Sequence, residues 1–424
     1  MSVSRRTLLA SATAIVATSS ARRVSANDKI NAAVIGVRGQ GGNLLLNFAA
    51  QPDVNLTHIC DLDTSVRERR GKEILDKTGK LPKLVVDYRS VLDDKSVDVL
   101  VIGTPDHWHA LPTIHGCMAG KDVYVEKPDG HNIIEGKTMV AAARKYNRCV
   151  QMGTQARSAP DVKNAVEYVK SGAIGKVIFG RAWETDRQGA IARVPDSDPP
   201  PGVDYDMWLG AAPKRPFNPM RFHGNWRWYF DYGCGDLGND GVHRMDFCRW
   251  VMGLDGWFTS VSAAGGKFFF DDAQEWPDTQ MVTYEYPNAV LVYEMRIWSR
   301  PRLFNATEGA AVYGDDGWVL INNTGWQAYD AGNKLVKEEG GRGVALGLHI
   351  RNFLECVKNR KWQELNQEIG QGHISSVMCH AGNLAWRTGQ KLKFDPKTET
   401  FDDAATNRNF RGREARKGFE LPKV

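Results

Sequence analysis

The sequence predicts an α/β protein in two parts, a doubly wound parallel sheet followed by an α+β domain. Three observations predict it. Short, near-continuous apolar runs alternate with helical stretches over the first third, a glycine-rich turn follows the first run, and beyond about Thr154 successive strand-like segments take over. Ile30–Ile35 reads as a buried strand, Gly36–Gly42 as the turn and about Asn43–Ala50 as the first helix. Val54–Cys60 is the second strand, and a charged helical stretch follows over about Thr64–Lys77. Leu84–Val86, Val97–Ile102, Val123–Val125 and Cys149–Met152 are the remaining strands, with His109–Ala119 and Ile133–Tyr146 the clearest helices between them.

In the second part a helix over Val162–Lys170 ends at Gly172, a residue suited to a helix C-terminus. Val177–Glu184 opens the strands, and Pro195–Gly202 opens a long aromatic loop that runs to Tyr232. A helix over about Asp236–Met252 precedes strands at Thr259–Ala264, Gln280–Tyr286, Ala289–Ile297, Ala310–Tyr313 and Trp318–Ile321. Helices near Leu348–Lys358 and His373–Thr388 close the domain. The organisation is thus residues 1–26 as a targeting segment, 28–153 as the parallel-sheet domain and 154–424 as the α+β domain.

Of 424 residues, 42% are hydrophobic and 25% charged, ordinary for a globular chain with sizeable cores. The formal charge is +5, and setting aside the four arginines of residues 1–26, a stretch without an acid, leaves +1. That balance gives no reason to expect a nucleic-acid or polyanion partner. Ser4-Arg5-Arg6-Thr7-Leu8-Leu9 reads as a twin-arginine start, Leu8–Ala17 as a mildly apolar stretch and Val24-Ser25-Ala26 as a cleavage site. The apolar stretch is too short to span a bilayer, so a periplasmic or extracellular mature protein without a membrane span is expected. Seven dispersed cysteines with no CxxC read as buried core residues rather than a disulfide framework.

The turn Gly36-Val37-Arg38-Gly39-Gln40-Gly41 follows the first strand and precedes a helix, where a dinucleotide pyrophosphate would sit. Gly36 and Gly41 fit the outer positions of G-x-G-x-x-G, but Arg38 stands at the middle one and Gly39 comes a residue late. Asp61 ends the second strand about 20 residues on, where a carboxylate accepts hydrogen bonds from the adenosine ribose and repels a 2′-phosphate. NAD is therefore favoured over NADP, although Arg38 is placed to reach a phosphate.

Glu126-Lys127-Pro128 follows the apolar run Val123–Val125, so Lys127 falls at the carboxyl end of a strand, where such sheets present chemistry. With Gly103-Thr104-Pro105-Asp106-His107-Trp108-His109, Gly120–Pro128 and Gly235–His243, the chain resembles the Gfo/Idh/MocA oxidoreductase family, from about Ile30 to Pro422. Val203–Gly210, Pro277–Gln280 and His373–Asn383 resemble its secreted twin-arginine branch. The resemblance implies an N-terminal Rossmann domain and a C-terminal α/β domain whose open, mainly antiparallel sheet covers the nicotinamide and often mediates oligomerisation. A homo-oligomer is the expectation.

Oxidising a hydroxyl needs a proton acceptor and a group that steadies the developing oxyanion. By resemblance Lys127 sits beside the nicotinamide ribose and the reacting hydroxyl, where the positive ring would disfavour its ammonium form. The family's second motif is an aspartate followed four residues later by a histidine, on one face of an α-helix. Here His243 is present but Asn239 replaces the aspartate, and Asp240 lies roughly 100° around the helix. Asparagine binds a hydroxyl but accepts no proton from it. Acid–base work therefore goes to His243, electrostatics and relay to Lys127, and orientation to Asn239.

His107 and His109 form a His-x-His pair that reads as metal ligation, as lining of the nicotinamide site or as a helix cap; without an evident third ligand, lining is preferred. The run Asn225–Tyr232 reads equally as a platform for sugar C–H faces, with Arg227 and Asp231 on hydroxyls, or as packing. His373 and His380 read as packing residues. Candidate cofactor contacts are therefore Gly36, Arg38, Gly39, Gln40, Gly41, Asp61, Thr104, Pro105, His107, His109, Glu126 and Lys127, and candidate substrate contacts are Trp108, Arg227, Trp228, Asp231 and Asp240. No metal is expected.

The leading reading is an exported NAD-dependent oxidoreductase of a carbohydrate or cyclitol hydroxyl. A second is a glycoside-cleaving enzyme that uses tightly held NAD transiently, oxidising the sugar, eliminating the glycosidic bond and returning the hydride. Asn239 and an export signal that separates the enzyme from NAD recycling favour this second reading. A non-catalytic sugar-binding protein is opposed by the retention of Lys127 and His243.

Overall fold

The structure, a computed structural model, describes residues 29–341 and 345–424; the stretch read as an export signal lies outside them. Apolar side chains that alternate with nothing polar can only be buried on both faces, and the first half builds its strands from such runs. These are β1 (Ile30–Ile35), β2 (Val54–Cys60), β3 (Lys83–Val85), β4 (Val99–Ile102), β5 (Asp122–Val125) and β6 (Val150–Met152). Between them run α1 (Gly39–Ala49), α2 (Thr64–Thr78), α3 (Arg89–Leu92), α4 (Ala110–Met118) and α5 (Ile133–Lys145). The strands are all parallel, in the order β3-β2-β1-β4-β5-β6. That order reverses between β1 and β4, which opens a crevice at the strands' carboxyl ends.

Local chemistry sets the helix ends. The Asp63 carboxylate accepts from Ser65 N and Val66 N at the start of α2, and Gly79 ends that helix at φ +71°. Before α5, Asn132 Oδ1 accepts from Glu135 N while Glu135 Oε1 accepts from Asn132 Nδ2, a reciprocal cap.

The second half comprises α6 (Pro160–Lys170), β7 (Val177–Glu184), α7 (Tyr205–Leu209), α8 (Val242–Val251), β8 (Ser260–Gly266), β9 (Thr279–Glu285), β10 (Val290–Arg296), β11 (Glu308–Gly314), β12 (Gly317–Asn322), β13 (Gly325–Asp330), β14 (Leu335–Gly340), α9 (Ala345–Asn359), α10 (Ile369–Thr388), β15 (Leu392–Asp395), β16 (Thr400–Phe401) and α11 (Ala404–Phe410). Ten strands form one sheet, β14-β13-β12-β11-β7-β10-β9-β8-β15-β16, antiparallel except for β7 against β10. Helices α6, α8 and α10 pack on one of its faces. The strands that sequence pattern missed lie toward the sheet's two ends: β14 is largely exposed and charged, and β16 has two residues.

Helix α9, late in sequence, packs on the first sheet. Ile350, Phe353 and Leu354 enter the core of the first sheet with Leu44, Phe48 and Tyr124, the Phe353 ring standing 5.8 Å from that of Tyr124. Arg351 adds a two-pronged contact to Asp53 at 2.7 and 2.8 Å. All seven cysteines are buried and free.

Helix α10 holds the turn after β5. Asp129 Oδ2 lies 2.7 Å from His373 Nδ1, His373 Nε2 lies 3.2 Å from Glu399 Oε2, and Ser376 Oγ accepts from Asp129 N. Read from sequence as a packing residue, His373 is instead a buried ionic anchor. Burial alone would push its imidazole down, but the Asp129 carboxylate, helped by Glu399, outweighs this and raises its pKa to about 9. A pKa raised from 6.5 stabilises the fold in full below about pH 6.5, and that contribution is lost as pH rises through about 9. His373→Ala should therefore cost about 3–5 kcal/mol in urea unfolding at neutral pH, with the gap to wild type closing toward pH 10. A gap independent of pH between 6 and 10 would reject the ionic role.

Candidate active site

The crevice at the reversal point widens into a cavity of about 620 Å³ that runs from the ends of β1 and β2 to Lys127, Asn239 and His243. Its floor is shaped by three glycines. Gly36 has φ +75°, and a Cβ there would stand 2.9 Å from Thr104 N. On Gly41 a Cβ would lie 1.8 Å from Gly36 O, and on Gly103 it would lie 2.5 Å from the Gly41 Cα. The turn thus packs backbone against backbone, and Gly103 is a member that the glycine pattern alone did not single out. Arg38, at the motif's middle position, has φ −83° and ψ −162°, extended geometry open to any residue. No side chain caps α1, so its first N–H groups remain free for an anion at the helix N-terminus.

Asp61 follows β2. Its Oδ2 accepts from Val37 N at 2.8 Å and its Oδ1 from Asp63 N at 3.0 Å, leaving each oxygen a further lone pair for ribose hydroxyls. Burial raises its pKa, and those backbone N–H groups oppose the rise. Cys60, Leu62, Val86 and Tyr88 form the apolar wall beside it. Thr104 Oγ1 is buried without a hydrogen-bond partner among the described residues. Glycine cradle, open helix end, ribose carboxylate and this orphaned hydroxyl together fit NAD.

At the other end Lys127 follows β5, its peptide bond to Pro128 cis. Lys127 Nζ donates to Asn239 O at 2.8 Å and to Asn239 Oδ1 at 3.1 Å. The Asn239 Nδ2 group donates to Asp240 Oδ2 at 2.8 Å, with Asp236 Oδ1 at 3.5 Å. An ammonium only donates and a carboxylate accepts, so these neighbours leave the amide a single orientation. Glu126, buried beside Lys127, accepts from Gln40 Nε2 at 2.9 Å.

The helix bearing Asn239 and His243 is not uniformly α as sequence suggested. It opens with a π turn over Leu237–Gly241 and continues as α8 from Val242. The i,i+4 argument therefore does not carry over unchanged, yet both side chains reach the cavity. Further along α8, Arg157 grips Asp246 through two bonds of 2.9 Å, and Ser375 and Gln367 also donate to that carboxylate. This fixes the helix three residues after His243.

Other candidates sort less simply. Thr104, Pro105, His109, Trp108 and Arg227 line the cavity. His109 Nδ1 lies 2.6 Å from Pro128 O and its Nε2 2.9 Å from Thr104 O, so the ring stands between two walls of the cavity; burial pushes its pKa down, against the pull of those two carbonyl groups. His107 is a correction. Its Nε2 lies 2.9 Å from Trp208 O, burial pushes its pKa down to about 3, and it faces away from the cofactor cavity. Trp228 is core, and Asp231 is spent on Arg215 at 2.8 Å. Asp240 does not line the cavity either; it holds the Asn239 amide. The even choice left for the aromatic run resolves residue by residue, with Trp226 and Arg227 on the cavity and Trp228 packed.

One carboxyl group was missed as a lining residue, Asp106, and a second, Asp236, behind Asn239. Asp106 is buried and lines the cavity, and burial pushes it up to about 7 against the pull of Lys127 and Arg227. Asp236 is buried with Oδ2 unpartnered, and burial, reinforced by the charge of Asp240, holds it well above the carboxylate range. Both letters stand inside the quoted motifs, but burial is set by the folded chain.

A cavity with a phosphate cradle and ribose carboxylate at one end and a lysine–histidine pair at the other defines a dinucleotide-dependent oxidoreductase. Two family models match the chain: the oxidoreductase-family NAD-binding Rossmann fold over residues 9–154, and the oxidoreductase-family C-terminal alpha/beta domain over residues 161–294 and 346–420. The chain belongs to the Gfo/Idh/MocA oxidoreductase family, and its cofactor is NAD. A levoglucosan dehydrogenase of Pseudarthrobacter phenanthrenivorans is 29% identical over 178 residues, 42% of this chain and 38% of that protein. A glycosyl hydrolase family 109 protein of Saccharopolyspora erythraea is 28% identical over 160 residues, 37% of this chain and 35% of its own length. The fold of an aldose-aldose oxidoreductase from Caulobacter crescentus superposes with TM-score 0.67 at 17% identity, covering 86% of this chain and all of that one.

Because a Cβ on Gly41 would collide with the Gly36 carbonyl, Gly41→Ala should weaken NAD binding by at least tenfold, corresponding to about 1.4 kcal/mol, as read by calorimetry. Unchanged affinity would show that the turn does not carry the pyrophosphate.

Proposed function

We propose that this protein oxidises a hydroxyl of a sugar or cyclitol. The observation that carries the reading is the convergence of Lys127, Asn239 and His243 at one end of the NAD cavity. Bound NAD supplies the hydride acceptor. His243 takes the hydroxyl proton, the Lys127 ammonium steadies the oxygen as that proton leaves, and Asn239 holds Lys127 through two acceptors at 2.8 and 3.1 Å. A neutral amide holds the ammonium without a full opposing charge, so the charge of Lys127 is left for the substrate oxygen. The levoglucosan dehydrogenase relative supports a carbohydrate substrate.

A second reading is favoured by Asn239 and by the relative named as a glycosyl hydrolase family 109 protein. In it the same oxidation acidifies the neighbouring C–H, elimination expels the protonated alcohol and leaves an unsaturated ketone, water adds across the double bond, and the hydride returns to the ketone carbon. A glycoside panel in deuterated water separates the two: NADH without cleavage selects the dehydrogenase, and cleavage with deuterium beside the attacked carbon selects the transient cycle. In either case Lys127→Ala should keep NAD bound and lower turnover by about 10²–10⁴-fold; wild-type turnover would remove Lys127 from the chemistry.

Export by the twin-arginine route, with a periplasmic or extracellular working site, belongs to the same proposal and is supported by Arg5-Arg6 before a short apolar stretch. Assembly into a homo-oligomer is supported by Tyr313, Trp318 and Tyr329, stacked on the sheet face opposite α8 and α10. Replacing Arg5 and Arg6 with lysine should leave the precursor in the cytoplasm, and the wild-type exported protein should run as a multimer in light scattering. Normal export of the lysine variant, or a monomer, would remove the corresponding part.

A further inference from the structure

The long aromatic loop places several arginines near one another, and they are not equivalent. Arg215 sits on Asp231 at 2.8 Å and Arg221 on Asp196 at 2.9 Å. Arg227, on the same segment, lines the NAD cavity and has no carboxylate within ion-pairing distance among the described residues. Among the described residues its side chain donates to Gly224 O at 2.9 Å, its buried Nε has no partner, and its guanidinium lies 5.2 Å from the Trp226 ring centroid. The backbone of Arg227 is closely packed, since a Cβ on Gly233 would stand 2.4 Å from the Arg227 Cα.

Arg227 also belongs to the reacting end of the cavity. The fields of Lys127 and Arg227 both act on Asp106 and on Asp236, so the two cations share one centre. Burial holds those two carboxyl groups toward their neutral forms, which leaves the cations without two full opposing charges. The Asn239 amide, where a carboxylate would have neutralised Lys127, removes another. A half-buried guanidinium fork without an ion-pair partner matches a planar carboxylate in shape and charge.

We propose that the substrate is an acidic sugar, whose carboxylate is bound by Arg227 while the hydroxyl to be oxidised meets Lys127 and His243. This rests on the oxidoreductase reading above and makes Arg227 its specificity-determining residue. The apolar face of Trp226 beside the guanidinium then carries the sugar's C–H face.

The test compares glucuronate and galacturonate with glucose and galactose on the NAD-loaded enzyme, by calorimetric binding and by kcat/KM. The wild type should favour the acids. Arg227→Gln should lower kcat/KM for the acids by about 10- to 150-fold and bring the acid-to-neutral ratio close to one. Arg227→Lys, which keeps charge and fold but not the fork, should fall between. Neutral sugars bound as well as acids by the wild type, or no binding of acids at all, would overturn the proposal. So would an acid preference that survives in Arg227→Gln, or a loss of NAD affinity in that variant with the preference intact. Acids that bind through Arg227 without turnover would leave the carboxylate site standing and refute their oxidation instead.

Discussion

The ammonium of Lys127 is where the two halves of the molecule meet chemically. It leaves the end of β5 in the first sheet and is held by both oxygens of Asn239, on the π turn that leads into α8 over the second sheet. Everything around it serves that meeting. Asp129, two residues on, is pinned by His373 of α10, and His109 bridges Pro128 to the loop after β4. A lysine so placed has little freedom to swing away, and preorganised charge is worth most where the site excludes water.

The same contact explains the asymmetry of the cavity. At the adenosine end, selectivity comes from a carboxylate and from backbone N–H groups released by glycines. At the reacting end it comes from cations whose nearby carboxyl groups are buried toward neutrality. Moving a carboxyl group from water into this interior costs more for the charged than for the neutral form, so Asp106 and Asp236 yield their charge to the low dielectric. Lys127 and Arg227 therefore face two nearby carboxyl groups that burial holds toward their neutral forms.

Much of this was legible in the order of residues. Strand–helix alternation, the outer glycines, Asp61 and the position of Lys127 are all local signals, because a parallel sheet must bury both faces and its turns must sit at the carboxyl ends of its strands. His107 shows where such signals fail. Its neighbours in sequence placed it on the nicotinamide, but the Trp208 carbonyl, 101 residues later, takes its ring nitrogen away from the cavity. Helix α9 failed the same test in reverse, being C-terminal in sequence and part of the N-terminal core in space.

The sequence by itself determined the class of fold, the cofactor cradle and the lysine–histidine pair, since each depends on a residue type at a fixed place on a strand, turn or helix. Only the tertiary structure decided which acids are charged, which arginine is unpaired and which way the Asn239 amide faces. Those properties depend on burial and on partners distant in the chain: Lys127 reaches Asn239 across 112 residues, and His373 reaches Asp129 across 244. Desolvation and hydrogen-bond pairing act through space, so they exist only once the two sheets have closed on each other.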